Sequence, residues 1–483
     1  MTISIDFAIT VLSLAVCGFL VAFALTFLIM PRIIAFMRRR NIVGIDVHKL
    51  NKPEIAQMGG VGLIVGVTAG CLLLFFGSGF LGFGFLDYRV LVFLVVALLA
   101  GLVGVVDDLK TLGPKTKPLL TALACLPIFL YSWVIGSLGF SSVLPSSYNA
   151  RPRLPFLGET RPTLFYLIII PFGIAVPANA VNMIDIFNGV MPVTTLLMFA
   201  AMLIISLLMM VMGVQDAFLG VLLSLVMIGA LLAYYNYNRN PARVFAGDTG
   251  SLFVGAAFGA LAIMGQLEIV AIVALLPAIM NAFYSLVSIG GLLERRQMKG
   301  RPTVFRKDGK LEASRQPGAP LTLARIILAR GPLSEQQITL CLTVLSLASS
   351  ILAVLTLLLI PFEAVGYLVS WPCTISLVVV PISIIVGVYL ALRRKDQIGA
   401  RLAGLIAIMI SVWAGGMAGF WALDLLVQIT EPWAAELLIQ VLRPLAGAAF
   451  VFAWLGLWHF TTRMYFRVES RRELRPHPST SRA

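Results

Sequence analysis

Long apolar runs broken by short polar stretches repeat along the whole chain. A helix crossing the hydrocarbon core needs about 20 apolar residues. On that rule spans are predicted near residues 6–30, 58–80, 88–106, 118–140, 162–181, 190–212, 217–235, 252–265, 267–293, 336–360, 367–391, 398–429 and 436–461. The fold class expected is therefore all-α, a polytopic membrane helical bundle of about 13 transmembrane helices. The first run, from about Phe7 to Met30, has no basic stretch before it. It also exceeds the roughly 7–15 apolar residues of a secretory signal, so it reads as a first span and not as a cleaved segment.

Composition agrees with that pattern. Of 483 residues, 59% are hydrophobic and 12% charged, against about 25% charged in soluble domains, which makes this an integral membrane protein. The five cysteines, Cys17, Cys71, Cys125, Cys341 and Cys373, lie singly in apolar runs without paired spacing, and read as core filler.

Orientation follows from where Lys and Arg collect, because short basic loops stay on the cytoplasmic side. "PRIIAFMRRR" after the first span puts the N-terminus outside, and parity then makes 31–57, 107–117, 182–189, 236–251, 294–335, 392–397 and the tail cytoplasmic. Between Glu294 and Glu335 ten Lys or Arg accompany four acids, whereas the outer loops carry isolated acids such as Asp216, Glu363 and Glu431. One loop dissents, with Arg151, Arg153 and Arg161 outside. The net charge of +14 is thus mainly a topology signal plus contact with anionic membrane lipids. It requires no nucleic-acid partner.

Three polar clusters fall on the predicted cytoplasmic face: "GVVDDLKTLGPKTK", "NAVNMIDIFNG" and "YYNYNRNPARVFAGDTGSLF". A lone aspartate at a helix end usually marks only the interface. Carboxylates and amides from four loops on one side are harder to dismiss, since acids at such depth face a polar cavity or a partner. Asp107, Asp108, Asp185 and Asp248 with Asn179, Asn182 and Asn188 are hard oxygen donors, accompanied by neither His nor thiolate. Magnesium prefers such ligands and takes one or two carboxylates, leaving the rest to phosphates and water; manganese is the alternative ion. Lys110, Lys115, Lys117, Arg239, Arg243, Lys299 and Arg301 suit phosphate. Acids for a metal beside bases for phosphate point to phosphoryl transfer. Asp248 sits in "GDTGS" at the mouth of a span, where a helix N-terminus adds N–H donors for an anion. The spacing of Asn182, Asp185 and, approximately, Asn188 predicts one shared helical face meeting metal and nucleotide. Asn179 is expected instead to hydrogen-bond a neighbouring helix.

In this order, spacing and predicted side, "GVVDDLKTLGPKTK", "NAVNMIDIFNG" and "RVFAGDTGSLFVG" resemble the polyprenyl-phosphate N-acetylhexosamine-1-phosphate transferases. "ARVFAGDT", "NAFYSL", "DGKLEAS" and "RGPLSEQQITLCL" look most like the eukaryotic and archaeal branch, the dolichyl-phosphate N-acetylglucosamine-phosphotransferases. The resemblance covers about residues 1–360 and implies a ten-helix core, with about three further helices over 361–462 and a basic, disordered cytoplasmic tail over 463–483. It implies a reaction in which a polyprenyl or dolichyl phosphate attacks the β-phosphate of a UDP-N-acetylhexosamine, giving a lipid-pyrophosphoryl sugar and UMP. The setting implied is the cytoplasmic face of a prokaryotic plasma membrane or of the endoplasmic reticulum.

Site residues follow by match to the family's motifs. Asp107 and Asp108 match its paired aspartates, one of which deprotonates or orients the acceptor phosphate. Lys117 matches the basic residue that holds the lipid phosphate or pyrophosphate. Asn182 and Asp248 match the magnesium ligands, and Phe245 an aromatic that stacks on uracil. Asn188 and Gly189 match the segment meeting the uracil edge, while Asp185, Lys299, Arg301 and Glu54 are expected around the nucleotide sugar.

The chain departs from the family at three points. Ile186 replaces a common Gly, Thr111 replaces an Asn of the eukaryotic branch, and "KGRPTVF" supplies Lys299 and Arg301 but no His. His48, His459 and His477 are too scattered to replace it and read as interface residues. Glu54 and Gln57 resemble the family's loop after the first span, although the glycines that follow equally suit helix packing. Helices beyond 361 carry a single mid-span acid, Asp424, and read as lipid-facing packing or a subunit contact.

A secondary transporter would hold its ionisable groups near the midplane on broken helices, not at cytoplasmic helix ends. A cell-wall enzyme using another UDP-N-acetylhexosamine is the nearer alternative, and the missing histidine-rich loop counts against it. The sequence does not choose between a monomer and a homodimer.

Overall fold

The computed structural model describes residues 5–80, 87–137, 153–154, 158–159, 163–214, 217–291, 300–316, 318–359, 397–430, 449 and 453–467. The helices are α1 (Ile5–Arg39), α2 (Gly60–Phe80), α3 (Asp87–Leu109), α4 (Thr116–Leu123), α5 (Leu126–Ser137), α6 (Thr163–Ile184), α7 (Val190–Val211), α8 (Ala217–Asn238), α9 (Gly247–Met264), α10 (Glu268–Ala274), α11 (Leu276–Ile289), α12 (Leu323–Ile327), α13 (Glu335–Leu359) and α14 (Gln397–Thr430). Residues 453–467 are also helical. Among the described residues eight helices are long and apolar enough to cross a membrane, and the α10–α11 pair, bent by 69°, makes a ninth if counted as one span. The predicted span at 367–391 and much of that at 436–461 lie outside the described residues.

Several boundaries differ from expectation, each for a local reason. The basic stretch after the first predicted span continues α1 to Arg39, and Arg38 and Arg39 fall in its last turn, where cations complement the helix dipole. The span predicted at 118–140 breaks between α4 and α5, and the one at 267–293 breaks between α10 and α11. In both cases a proline follows directly, Pro127 and Pro277, removing an N–H and crowding the carbonyl four residues back. The helix over 453–467 runs past the predicted start of the tail at 463.

The all-α expectation holds for the bundle but not for the loops, which carry three antiparallel hairpins. These pair β1 (Val43–Ile45) with β2 (Glu54–Ala56), β3 (Arg153–Leu154) with β4 (Gly158–Glu159), and β5 (Thr303–Phe305) with β6 (Leu311–Ala313).

Helix α9 is the centre of the bundle. The segment predicted at 252–265 is hydrophobic all round and starts earlier, at Gly247; from Thr249 to Met264 every residue is buried, as expected of a helix with no polar face. It packs against α3 and α6, and small residues let the backbones touch. A Cβ on Gly104 of α3 would lie 2.3 Å from the Asp248 carbonyl oxygen, and one on Gly60 of α2 would lie 2.2 Å from the Gly250 nitrogen. On α6, Pro177 cannot donate to the Gly173 carbonyl four residues back, and it is against this carbonyl that Gly259 packs.

A methyl group on Gly259 would sit 2.1 Å from the Gly173 carbonyl oxygen, a backbone atom with no rotamer to relieve the clash. Gly259→Ala is expected to force α6 and α9 apart, at a cost of about 1–3 kcal/mol. A lowered unfolding midpoint in detergent checks it.

Candidate active site

The ends of four helices meet at one ammonium group. Asp107 and Asp108 come from the last turn of α3, Lys117 from the first turn of α4, Asn182 from the last turn of α6, and Asp248 from the first turn of α9. Lys117 Nζ donates to Asp107 Oδ2 at 2.9 Å, to Asp248 Oδ2 at 2.7 Å and to Asn182 Oδ1 at 3.2 Å. Asn182 Nδ2 donates to Asp248 Oδ1, and to Ser251 Oγ at 2.8 Å. The Asp107 and Asp248 carboxyls also lie within hydrogen-bond reach of one another. The acids and the amide expected to converge from distant parts of the chain do so.

The paired aspartates do different work. Asp108 accepts from the backbone N–H groups of Asp248 and Thr249, both at 2.9 Å, and from Thr249 Oγ1 at 2.7 Å. It therefore caps α9 from a neighbouring helix, satisfying donors that a helix N-terminus leaves open and placing a negative charge where the dipole favours one. Gly247, at φ +70°, has no room for a Cβ, which would lie 2.4 Å from Asp108 Oδ2. Asp107 has one backbone partner, the Leu112 N–H at 2.5 Å, and otherwise faces Lys117 and Asp248.

This donor set fits a divalent cation shared with phosphate. Asp107, Asn182 and Asp248 aim oxygens at one point, where a cationic nitrogen now sits. Among the described residues no three His, Cys, Asp or Glu side chains form an all-protein metal cage. Two carboxylates and an amide with open positions match the way magnesium is bound beside phosphates.

The loop after α6 corrects one expectation. Helix α6 ends at Ile184 and α7 begins at Val190, with Gly189 at φ +82° between them. Asp185 and Asn188 thus do not share a helical face with Asn182. Burial, and then the charge of Asp248, pushes the Asp185 carboxyl up to about 7, although a hydrogen bond from the Met191 backbone pulls the other way. Asn188 is buried and turns from Lys117: its Nδ2 donates to Asp46 Oδ2 at 3.0 Å and its N–H to Glu335 Oε1 at 2.9 Å. Glu335, at the start of α13, also pairs with Lys49. The Gly189 N–H donates to Asn238 Oδ1, whose amide reaches the Val244 carbonyl beside Phe245. The 241–246 segment lies along β2, with Phe245 N–H donating to Ala56 O at 2.8 Å. The half-buried Phe245 ring rests near Gly44 and Gln57.

Other expected residues stand apart from the Lys117 cluster. Glu54 is exposed on β2, and Gln57, three positions on, is the residue that reaches Asp108, at 3.4 Å. Arg301 is exposed just before β5, and Lys299 lies outside the described residues. Asn179 behaves as expected, joining Thr121 of α4 to Ala175 of its own helix. His48 lies against Phe187, with ring centroids 4.8 Å apart and the planes tilted by 40°.

Sequence reasoning missed Asp46, Lys49, Glu335 and Asn281. The last is buried on α11, donates to the Met183 carbonyl beside Asn182 and accepts from the Leu323 N–H. Its signals were an amide inside the apolar run "PAIMNAFYSL" and its place at the head of "NAFYSL", a stretch that carries the family resemblance.

Residues 90–266, which span α3 to α9, match the family described as glycosyl transferase family 4. A phospho-N-acetylmuramoyl-pentapeptide-transferase of Oceanobacillus iheyensis is 31% identical over 52% of this chain and 76% of its own length. The chain belongs to this family. Archaeal members are similar over comparable or longer stretches of the family 4 chain. A protein of Sulfolobus acidocaldarius, provisionally named as a UDP-N-acetylglucosamine–dolichyl-phosphate N-acetylglucosaminephosphotransferase, is 28% identical over 51% of the chain and 70% of its own length. Its namesake in Saccharolobus solfataricus is 26% identical over 70% and 94%.

The division between the aspartates can be tested by thermal unfolding in detergent. Asp108→Ala strands the donors at the α9 N-terminus and is expected to destabilise by about 1–3 kcal/mol. Asp107→Asn loses the ion pair with Lys117 but keeps an acceptor for the Leu112 N–H, and is expected to lower the midpoint by less than Asp108→Ala does.

Proposed function

We propose that this protein transfers N-acetylhexosamine-1-phosphate from a UDP-sugar to a polyprenyl phosphate, yielding a lipid-pyrophosphoryl sugar and UMP. The observation that carries this reading is the convergence of Asp107, Asn182 and Asp248 on Lys117 Nζ at the ends of membrane-embedded helices. Phosphoryl transfer asks a protein mainly for position and charge neutralisation, and this is an acid-rich site with one half-buried base. The names of the archaeal relatives favour N-acetylglucosamine as the sugar and dolichyl phosphate as the acceptor.

Asp107 is the aspartate that faces the reacting groups, because Asp108 is engaged with α9. We assign Asp107 to orient or deprotonate the acceptor phosphate, whose oxygen attacks the β-phosphorus as the bond to the UMP oxygen breaks. Lys117 holds the phosphate or pyrophosphate. Asn182 and Asp248 would hold Mg²⁺. Bound there, the ion supplies neutralisation of pyrophosphate charge. Phe245 offers a face to the uracil, with Asn188 and Gly189 lining the same side. The basic loops support a site on the cytoplasmic face, by the positive-inside rule.

The Oceanobacillus relative carries a cell-wall name, so a muramoyl-type donor is the second reading. The chain's only histidines are His48, His459 and His477, leaving none in the 294–335 loop, and this favours the first.

Purified full-length protein given radiolabelled UDP-N-acetylglucosamine, polyprenyl phosphate and Mg²⁺ should form butanol-soluble label. A chelator should abolish it and added Mg²⁺ restore it. Asp248→Ala and Asn182→Ala should each lower the rate by at least about 100-fold, as expected when charge stabilisation at the reacting centre is lost, while the protein remains monodisperse. Label from UDP-N-acetylmuramoyl-pentapeptide alone would establish the second reading, and no label from any UDP-hexosamine would remove both.

A further inference from the structure

The helices beyond residue 360 lie outside both the family match and the sequence resemblance. Even so, the most buried charged residue among those described is Arg401 of α14, at 2% exposure. A buried guanidinium is costly unless its donors are used. Here Nη1 donates to the carbonyls of Ile327, at 3.2 Å, and Gly331, at 2.9 Å, and Nη2 to that of Arg330 at 2.9 Å. These carbonyls end α12 and the 3₁₀ turn Leu328–Arg330 that continues it. A helix C-terminus leaves carbonyls open and favours positive charge.

Beyond that turn the chain leads to the nucleotide side of the site. Leu333 exchanges two backbone hydrogen bonds with Leu311 of β6, at 2.8 and 3.0 Å. Ser334 and Gln337 cap the start of α13 reciprocally. Glu335 comes next, its buried carboxylate accepting the Asn188 N–H and pairing with Lys49. A short, fully bonded path thus runs from Arg401 to the 185–189 loop.

Arg401 is not the sole attachment of the C-terminal helices. Trp413 Nε1 donates to Thr356 Oγ1 of α13 at 2.8 Å, and Trp458 Nε1 donates to the Tyr284 hydroxyl, itself 2.6 Å from Thr462 Oγ1. The three carbonyls that the Arg401 fork reaches are instead on the one turn that feeds Glu335.

We propose that Arg401 is a positioning residue for nucleotide-sugar binding, fixing the 327–331 turn and, through Glu335, the Asn188–Gly189 loop. This rests on the reading that the loop meets the UDP moiety. Lysine would replace the planar fork with one point charge and could not serve carbonyls in several directions.

The test uses the full chain in detergent, with UDP-N-acetylglucosamine and polyprenyl phosphate varied separately and UDP affinity measured by equilibrium dialysis. Coupling through such a path is worth roughly 0.5–2 kcal/mol, or about 2- to 30-fold. Arg401→Met is expected to raise KM for UDP-N-acetylglucosamine and Kd for UDP by a factor in that range. The kcat and the KM for polyprenyl phosphate should stay within about twofold, because uniform binding is what is lost. Arg401→Lys should fall between, and it carries the same test should Arg401→Met fail to accumulate. Trp413→Phe, which loosens α14 without touching the 327–331 turn, should lower the unfolding midpoint and leave both KM values unchanged. Unchanged UDP affinity in the Arg401 variants, equal loss of both substrates, or the same split in Trp413→Phe would overturn the proposal. A wild-type protein that forms no lipid-linked product would overturn the proposed reaction instead, and the UDP affinities would still judge Arg401.

Discussion

The site depends on how closely α3 can approach the first turn of α9. Glycine at position 104 allows the backbones to touch, and the carboxylate of Asp108, one helical turn further on, then reaches the open N–H groups of Asp248 and Thr249. In hydrocarbon each such donor must find a partner inside the protein. Asp108 provides it, and the same contact fixes Asp248 opposite Asp107. The cap on a central helix and the geometry of the acid cluster are therefore one feature.

The second constraint is electrostatic. Asp107 and Asp248 meet with one lysine between them, and like charges so close resist ionising together. Lys117 relieves part of this by reaching three oxygens at once. The remaining negative charge leaves the cluster able to accept a further cation. Beside it Asp46, Lys49, Asn188 and Glu335 form a hydrogen-bonded layer, two carboxylates to one ammonium, that shapes the neighbouring loop.

How much could be read from the sequence depended on how local the cause was. Apolar runs located the helices because a run of such length leaves few alternatives in lipid. Breaks at Pro127 and Pro277 were also visible in the chain, yet the spans were drawn through them since hydropathy does not register backbone geometry. Asp107, Asn182 and Asp248 were legible because three spaced motifs carried them to the same predicted side. The division of labour between Asp107 and Asp108 was not legible, because it depends on which carboxylate faces α9, a matter of helix rotation. The helical spacing of Asn182, Asp185 and Asn188 misled, since α6 ends at Ile184 and a left-handed Gly189 redirects the loop. Asp46, Glu335 and Arg401 were missed for a common reason, that each acquires its meaning from a partner far away in the chain.

Asn281 binds two pieces of the mouth of the site through one side chain, donating a hydrogen bond to the Met183 carbonyl and accepting one from the Leu323 amide. Either piece, to slide along α11, must first give up its own bond to this side chain. The helix end that carries Asn182 and the segment that leads to Glu335 are thus held to one another by a single buried amide.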